Sequence, residues 1–500
     1  MSALENLLEA AAKQLSMPTD VLKGGFILTA AYPLCIFYAL IPANARTLRH
    51  IFSILASCTL YLSLFSLSGF IELMAMCCIV YFGVYAFKSN SWMPVIMFYY
   101  VLGHFCVRLF IVQILSDSAK KFDATTPMMV LVIKLTSFAW NVYDGTKDDK
   151  DVIPELRSRA IRKYPGFLEF FGYVFFFAAF LVGPAFDFND YREYTNGEGV
   201  FSTVTEKGQK KNMPSRVWPT LKCLLGGIAC MGIFIKFSKS YDYSVCATEA
   251  FATEWPFWKR FLFMQAAGLA ARSKFYTAWL LSEGACNLVG IGYSGISPKT
   301  NKPVWERACN VSILGFELAE NPKVLIDNWN MRTGFWLKSC VYLRMVKPGQ
   351  KPGTLVTVTT FLVSALWHGF HLGYYLTFSM GALYSMVGRT LRRNVRPLFI
   401  EPSKWAPYKP IYDFLGWFMT WTSINFIAAP FALWALDKSL AAWYAVGFYS
   451  LIGQIVIYVG MEFLGGAKFA RSLWKTTGAL SRAVSEDAIA RVDEDEKKRK

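Results

Sequence analysis

His368 and His371 lie in the run TTFLVSALWHGFHLGYY, inside a stretch from Pro352 to Gly388 that holds no Asp, Glu, Lys or Arg. Ionisable side chains at membrane depth are costly to keep and commonly functional. An imidazole that titrates near neutral pH can take a proton there, which makes His368 a candidate general base. The alternative is a core histidine bonded to a neighbouring helix. Gly369 favours the first reading, because a missing side chain lets a backbone or a ligand come close. In a continuous helix His371 would share nearly the same face as His368, so a metal pair is conceivable. No Cys, Asp or Glu in the stretch completes a ligand set, and nothing resembles H-E-x-x-H. The expectation is therefore no metal, with His371 lining or supporting the site.

Asn330, in D-N-W-N-M-R, is the second candidate. A carboxamide can donate to a developing oxyanion or hold a reacting carbonyl. Taken alone it reads equally as a turn or helix-cap asparagine. Two other patterns carry less. Gly290, Gly292 and Gly295 spell G-x-G-x-x-G, but no strand precedes them in an alternating α/β pattern, so a dinucleotide site is rejected. Asn310-Val-Ser312 is a glycosylation sequon whose use depends on the side of the membrane it faces.

The elements that must hold these residues are transmembrane helices. The chain has 500 residues, 54% hydrophobic and 17% aromatic, with uncharged runs too long for an ordinary soluble core. Unpaired backbone groups cannot persist in lipid, and the period-two pattern of a membrane barrel is absent, so the spans should be helical. Uncharged runs place them near 22–43, 51–70, 71–87, 92–116, 127–143, 166–186, 217–237, 257–283, 355–388, 411–434 and 440–464, about eleven crossings or re-entrant pieces. The 257–283 piece contains Arg272 and Lys274 and is expected to split into two short helices. A polar, amphipathic segment (1–21) precedes one membrane domain (22–465), and a charged tail (466–500) follows. The segment from Gly295 to Lys351 is too charged to span and too aromatic for a plain loop. From Thr333 on, Trp336, Cys340 and Leu343 recur at helical spacing, so a helix in the interface or dipping beside the spans is expected.

A net charge of +17 in a soluble chain would suggest nucleic acid. Here the Lys and Arg are scattered through polar loops, which points to anionic headgroups or an acidic co-substrate instead. Most of the eleven cysteines sit in apolar runs without C-x-x-C spacing and read as buried apolar residues. No cleavable signal peptide is evident, and the first span would serve as its own signal. The terminal EDEKKRK puts Lys497 and Lys498 where a dilysine retrieval signal would have them, implying a cytosolic C-terminus at the endoplasmic reticulum.

NWNMRTGFWLKSCVYLRM (328–345) followed by TTFLVSALWHGFHLGYYLTF (359–378) resembles the signature region of the membrane-bound O-acyltransferases, spanning 328–388 here. MVLVIKLTSFAWNVYDG (129–145), GYVFFFAAFLVGPAFDFNDY (172–191) and WLLSEGACNLVGIGYSG (279–295) are similar to the lysophospholipid acyltransferase branch, most of all its broad-specificity fungal type. The resemblance implies an all-α polytopic bundle of about eleven helices enclosing a reaction tunnel. It maps the family's histidine onto His368 and its polar partner onto Asn330. It places Trp329, Tyr342 and Arg344 at positions lining or supporting the site, beside which Trp367 and His371 are further substrate-binding candidates.

The reaction implied is transfer of an acyl group from acyl-CoA, as co-substrate, to the free hydroxyl of a lysophospholipid, with no permanently bound cofactor. CoA phosphates make Lys338, Arg344, Lys347 and Lys351 candidate contacts. The same cations also suit the positive-inside rule. Other acceptors, namely a sterol, a diacylglycerol or a protein, are competing readings within the family. A transporter or scramblase competes from outside it. Headgroup preference, acyl preference and oligomeric state are not legible.

Overall fold

The computed structural model describes residues 3–14, 19–115, 124–202, 213–346, 350 and 353–479 of the 500-residue chain. It is built of helices, with one two-stranded hairpin, β1 (Gly295–Ile296) and β2 (Pro303–Val304), pairing Gly295 with Val304 among the described residues. The N-terminal half runs α1 (Ala3–Gln14), α2 (Thr19–Ala39), α3 (Arg46–Leu62), α4 (Leu67–Phe87), α5 (Met93–Phe110), α6 (Thr125–Gly145), α7 (Phe167–Val174), α8 (Phe188–Asn196) and α9 (Val217–Phe237). Short α10 (Tyr243–Cys246) and α11 (Glu249–Glu254) lead into the long α12 (Phe257–Val289). After the hairpin come α13 (Ile313–Glu317), α14 (Pro322–Asp327), α15 (Met331–Leu337) and α16 (Leu343–Met345). The chain then continues through α17 (Thr354–His368), α18 (Leu372–Asn394), α19 (Lys409–Leu433), α20 (Leu436–Ala445), α21 (Tyr449–Glu462) and α22 (Gly466–Thr477).

Among the described residues four helical stretches are long and apolar enough to cross a bilayer: Leu22–Ala39, Leu67–Phe87, Met93–Leu115 and Val217–Phe237. Several of the other expected spans depart from uniform apolar helices. The piece at 257–283 does not split. It lies within the single 33-residue α12, because Arg272 is neutralised by both oxygens of Glu317 (3.0 and 2.9 Å) and also bonds Asn425, while Lys274 stays on the exposed side. The run at 440–464 is broken into α20 and α21, which meet at 82°. The run at 355–388 is not one span either. It breaks at Gly369 into α17 and α18, which pack against each other as a hairpin.

The 166–186 segment departs furthest. Helix α7 stops at Val174, and the chain then runs irregularly with Phe175, Phe176, Phe177, Phe180 and Phe186 all buried. Irregular backbone at this depth survives only where protein groups replace water. Here they do. Lys134 of α6 gives its ammonium to the carbonyls of Tyr173 (2.9 Å) and Val174 (3.3 Å), Ser57 bonds the carbonyl of Phe175 (2.7 Å), and Ser282 bonds those of Ala178 and Gly183. Lys134 has no carboxylate partner among the described residues. Its charge lies instead over the rings of Tyr173 (4.8 Å) and Phe186 (5.0 Å), a desolvated cation–π arrangement that helps hold it. This aromatic knot belongs to the main core, which also takes in buried residues of α6, Trp336 of α15 and Trp367 of α17.

All eleven cysteines are free, seven of them buried, which agrees with their reading as small apolar residues.

Candidate active site

Helix α17 ends on His368 because Gly369 takes φ 128° and ψ −161°, a conformation open to glycine and not to residues with a Cβ. The imidazole is walled by rings: Trp367 at 4.7 Å, Phe378 stacked at 5.0 Å, Phe431 edge-on at 5.0 Å and Tyr374 at 5.8 Å between centroids. Neither ring nitrogen has a hydrogen-bond partner among the described residues, and the side chain is only half-buried. A core histidine would have spent a nitrogen on a neighbouring helix. This one leaves both available at the mouth of an aromatic box.

His371 does not share a helix face with His368. It is the N-cap of α18, beyond the break, and its ring lies flat on Trp434 at 5.2 Å, with Nε2 buried and unpaired among the described residues. The glycine break between the two residues turns them onto different walls. Trp367, adjacent to the base, donates from Nε1 to the carbonyl of Met129 (3.2 Å) and packs on Trp336 at 5.9 Å, which ties α17 to α6 and α15. Trp336 in turn donates to Thr136 (2.8 Å).

Asn330 caps α15 at φ 44°, ψ 51°, the left-handed region that asparagine tolerates better than most residues. Its Oδ1 accepts from Asn310 Nδ2 at 3.2 Å. That bond fixes the amide orientation, since the oxygen is occupied and Nδ2 is left with both protons and no acceptor among the described residues. A donor not spent on its own scaffold is what a developing oxyanion requires.

The sequon reading of Asn310 did not anticipate its structural role. Asn310 is 4% exposed, its Oδ1 accepts from the backbone N–H of Arg332 (3.0 Å), and its carbonyl accepts from that of Met331 (2.9 Å). Asn310 is thus a buried brace for the Asn330 turn. Only the burial reveals this; the pattern N-V-S gives no such signal.

A run of ring contacts links His368 to the Asn330 turn. His368 touches Phe431, Phe431 meets Phe275 at 6.4 Å, and Phe275 meets Trp329 at 5.9 Å, the residue before Asn330. Trp329 also packs on Trp279 (4.9 Å), Tyr276 (5.8 Å) and Phe316 (4.8 Å). One turn beyond Trp279, α12 buries Glu283, whose Oε2 has no hydrogen-bond partner among the described residues. Phe431, Phe275 and Glu283 were not among the sequence candidates, because nothing in α12 or α19 marks which face turns inward.

At the polar end of α6, Arg344 makes a two-pronged pair with Asp144 (3.0 and 2.6 Å), donates from Nε to the carbonyl of Ser339 (3.1 Å) and lies over Trp140 at 4.2 Å. Asp144 is almost fully buried. Arg344 is therefore committed to the scaffold, and a CoA phosphate would have to share it. Arg344→Ala is expected to strand that carboxylate and destabilise the fold by about 3–5 kcal/mol, read as a lower melting temperature in detergent. Adding Asp144→Asn should recover a good part of the loss. A change confined to KM for the acyl donor would instead assign Arg344 to substrate. Tyr342 is half-buried at the end of a π-helical turn (Lys338–Tyr342), and Lys338 is exposed at its start. Lys347 and Lys351 lie outside the described residues.

Residues 109–429 match the profile of the MBOAT, membrane-bound O-acyltransferase family. The chain belongs to that family. A Schizosaccharomyces pombe protein named lysophospholipid acyltransferase is 36% identical over 449 residues, 88% of this chain and 87% of its own length. One of the same name from Saccharomyces cerevisiae is 37% identical over 73% of this chain and 61% of its own length. A human protein named membrane-bound glycerophospholipid O-acyltransferase 2 is 30% identical, covering 69% of this chain and 67% of its own length. The matched span of this membrane-bound O-acyltransferase begins inside α5 and ends inside α19, so it takes in His368 with Trp367, Tyr374 and Phe378 of its aromatic box, the Asn330 turn and the Arg344–Asp144 pair, and stops just before Phe431.

Proposed function

We propose that this O-acyltransferase moves a fatty acyl group from acyl-CoA to the free hydroxyl, at sn-2, of a lysophospholipid, remodelling membrane phospholipids. The observation that carries the reading is the His368 ring, open at both nitrogens within an otherwise aromatic enclosure. An alcohol is a weak nucleophile until its proton leaves. An unprotonated nitrogen of His368 takes that proton as the hydroxyl oxygen attacks the thioester carbon, and the Asn330 Nδ2 donates to the oxyanion that forms. Collapse breaks the C–S bond, and the imidazolium returns its proton to the departing sulfur. The products are phospholipid and free CoA, and no acyl-enzyme and no metal enter the balance. Holding both lipid-like substrates in one dry tunnel supplies much of the remaining acceleration.

Support for the acceptor comes from the relatives named lysophospholipid acyltransferase in two fungi. Lys338, and Lys347 and Lys351 beyond the described residues, are the proposed contacts for CoA phosphates. The proposed site of action is the endoplasmic reticulum membrane, with the C-terminus and its Lys497–Lys498 signal in the cytosol.

The test is conversion, by membranes carrying the chain, of a panel of lysophospholipids plus oleoyl-CoA into phospholipid with stoichiometric release of free thiol. Sterol, diacylglycerol and peptide acceptors run alongside. Thiol release with one of those and none with any lysolipid would overturn the acceptor assignment, and lipid translocation with no thiol release would overturn the enzymatic one.

A further inference from the structure

We propose that Gln113 is a positioning residue for His368, acting through the Gly369 turn; the inference rests on the function proposed above and deepens it. Helix α5 does not end as an α-helix but passes into a π-helical turn, Ile111–Leu115, that carries the only polar side chain of the run IVQIL. Single π-turns are uncommon and concentrate at functional sites, because they re-aim the side chains that follow. Here the re-aimed side chain is Gln113. Its Oε1 accepts the backbone N–H of Phe370 at 2.9 Å.

That bond decides where α17 stops. The N–H of Gly369 still bonds back into the helix, to the carbonyls of Ala365 and Leu366 (3.1 Å each), whereas the next N–H, of Phe370, goes to Gln113. The φ of 128° requires glycine at 369, and the Gln113 carboxamide is pressed so close against it that an added Cβ would displace the amide from Phe370. His368 is thus the last residue before a turn whose two following residues are both in contact with one glutamine. Phe370 meets Phe110 edge-on at 5.8 Å, which seats the same turn on the end of α5.

The support beneath the clamp is anchored too. Within helices otherwise free of charge, Glu72 of α4 takes a hydrogen bond from or gives charge to two residues of α5, His104 at 3.1 Å and Arg108 at 3.6 Å. Those contacts fix α5 just before its π-turn. The chain of contact runs Glu72, then His104 and Arg108 on α5, then Gln113, then Gly369 and Phe370, then His368. Since the imidazole makes no hydrogen bond of its own among the described residues, its aim comes from ring packing and from the backbone at the end of α17. Loss of the Phe370 anchor should move that backbone.

The experiment compares Gln113→Met, which keeps length and loses the acceptor, with Gln113→Glu, which keeps an oxygen at the same reach. Gln113→Met is expected to lower kcat by about tenfold or more, with KM for acyl-CoA and lysolipid within twofold of wild type, since a small misplacement of a reacting group has effects of that order. Gln113→Glu should recover most of the rate. In parallel, carbethoxylation of His368 by diethyl pyrocarbonate, followed by peptide mass spectrometry with His371 as internal reference, should change several-fold in Gln113→Met and return in Gln113→Glu. A Gln113→Met enzyme with unchanged kcat and unchanged His368 reactivity overturns the proposal, as does a loss that tracks folded protein alone. If the wild-type protein releases no thiol, the function reading fails, and the His368 reactivity still decides the role of Gln113.

Discussion

His368→Ala is expected to remove acyl transfer almost entirely, by about 10²–10⁴-fold in kcat, while membranes hold as much folded protein as before. The two halves of that expectation come from the same observation. Because the imidazole gives no hydrogen bond to any described residue, its removal orphans no buried donor or acceptor, which is the usual route by which a core substitution unfolds a protein. What is lost is ring packing against Phe378 and Phe431, a cavity term that the hairpin of α17 and α18 can absorb in part. The rate should fall because nothing else in the box can accept a proton: its other walls are Trp367, Phe378, Phe431 and Tyr374, none of them a base at neutral pH. Thiol release from oleoyl-CoA, normalised to immunodetected protein, checks it. Activity within a few-fold of wild type would remove His368 from the chemistry. His368→Gln separates shape from basicity, since glutamine fills most of the space and cannot take the proton. It should be as inactive as the alanine variant.

How much of this was legible in the sequence depended on whether one side chain or a packing partner carried the information. His368 was legible because an ionisable group in an uncharged run is anomalous wherever the helix ends. The spans at α2, α4, α5 and α9 were legible for the same reason in reverse, being uniformly apolar. Arg272 was not. Its charge argued for a break in α12, and only the fold shows Glu317, 45 positions away in sequence, neutralising it. The 166–186 segment failed likewise. Hydropathy reads Phe175–Phe177 as part of a helix, but it cannot see that Lys134, Ser57 and Ser282 supply the hydrogen bonds that let the backbone leave one. Helical spacing put His368 and His371 on one face, a deduction sound for an unbroken helix and undone by Gly369. Asn310 and Gln113 were invisible for a related reason: each acts on the backbone of a distant turn, and neither type nor spacing records a contact of that kind.

Asn330→Ala is the second large effect, expected at about 10²–10³-fold in kcat with little change in KM, the size found when one preorganised oxyanion donor is removed. This substitution has two parts that must be separated. At φ 44° an alanine also strains the turn by about 1–2 kcal/mol, a cost of fold and not of catalysis. Asn330→Gly relieves the strain and still lacks the amide, so the two variants should share the rate defect and differ in melting temperature. Asn330→Asp sharpens the point. Its oxygens can still accept from Asn310, so the brace holds, but the donor is gone and a carboxylate would face the charge it should stabilise. It should therefore be slower than the glycine variant despite a near-identical shape. If Asn330 instead served only as a cap for α15, the ranking would follow stability, with Asp closest to wild type. The joint variant His368→Ala with Asn330→Gly completes the argument. Two groups acting on one transition state lose far less together than the sum of their separate losses, so the double variant should be scarcely slower than His368→Ala alone. Independent, additive losses would mean that the amide and the imidazole do not serve the same step.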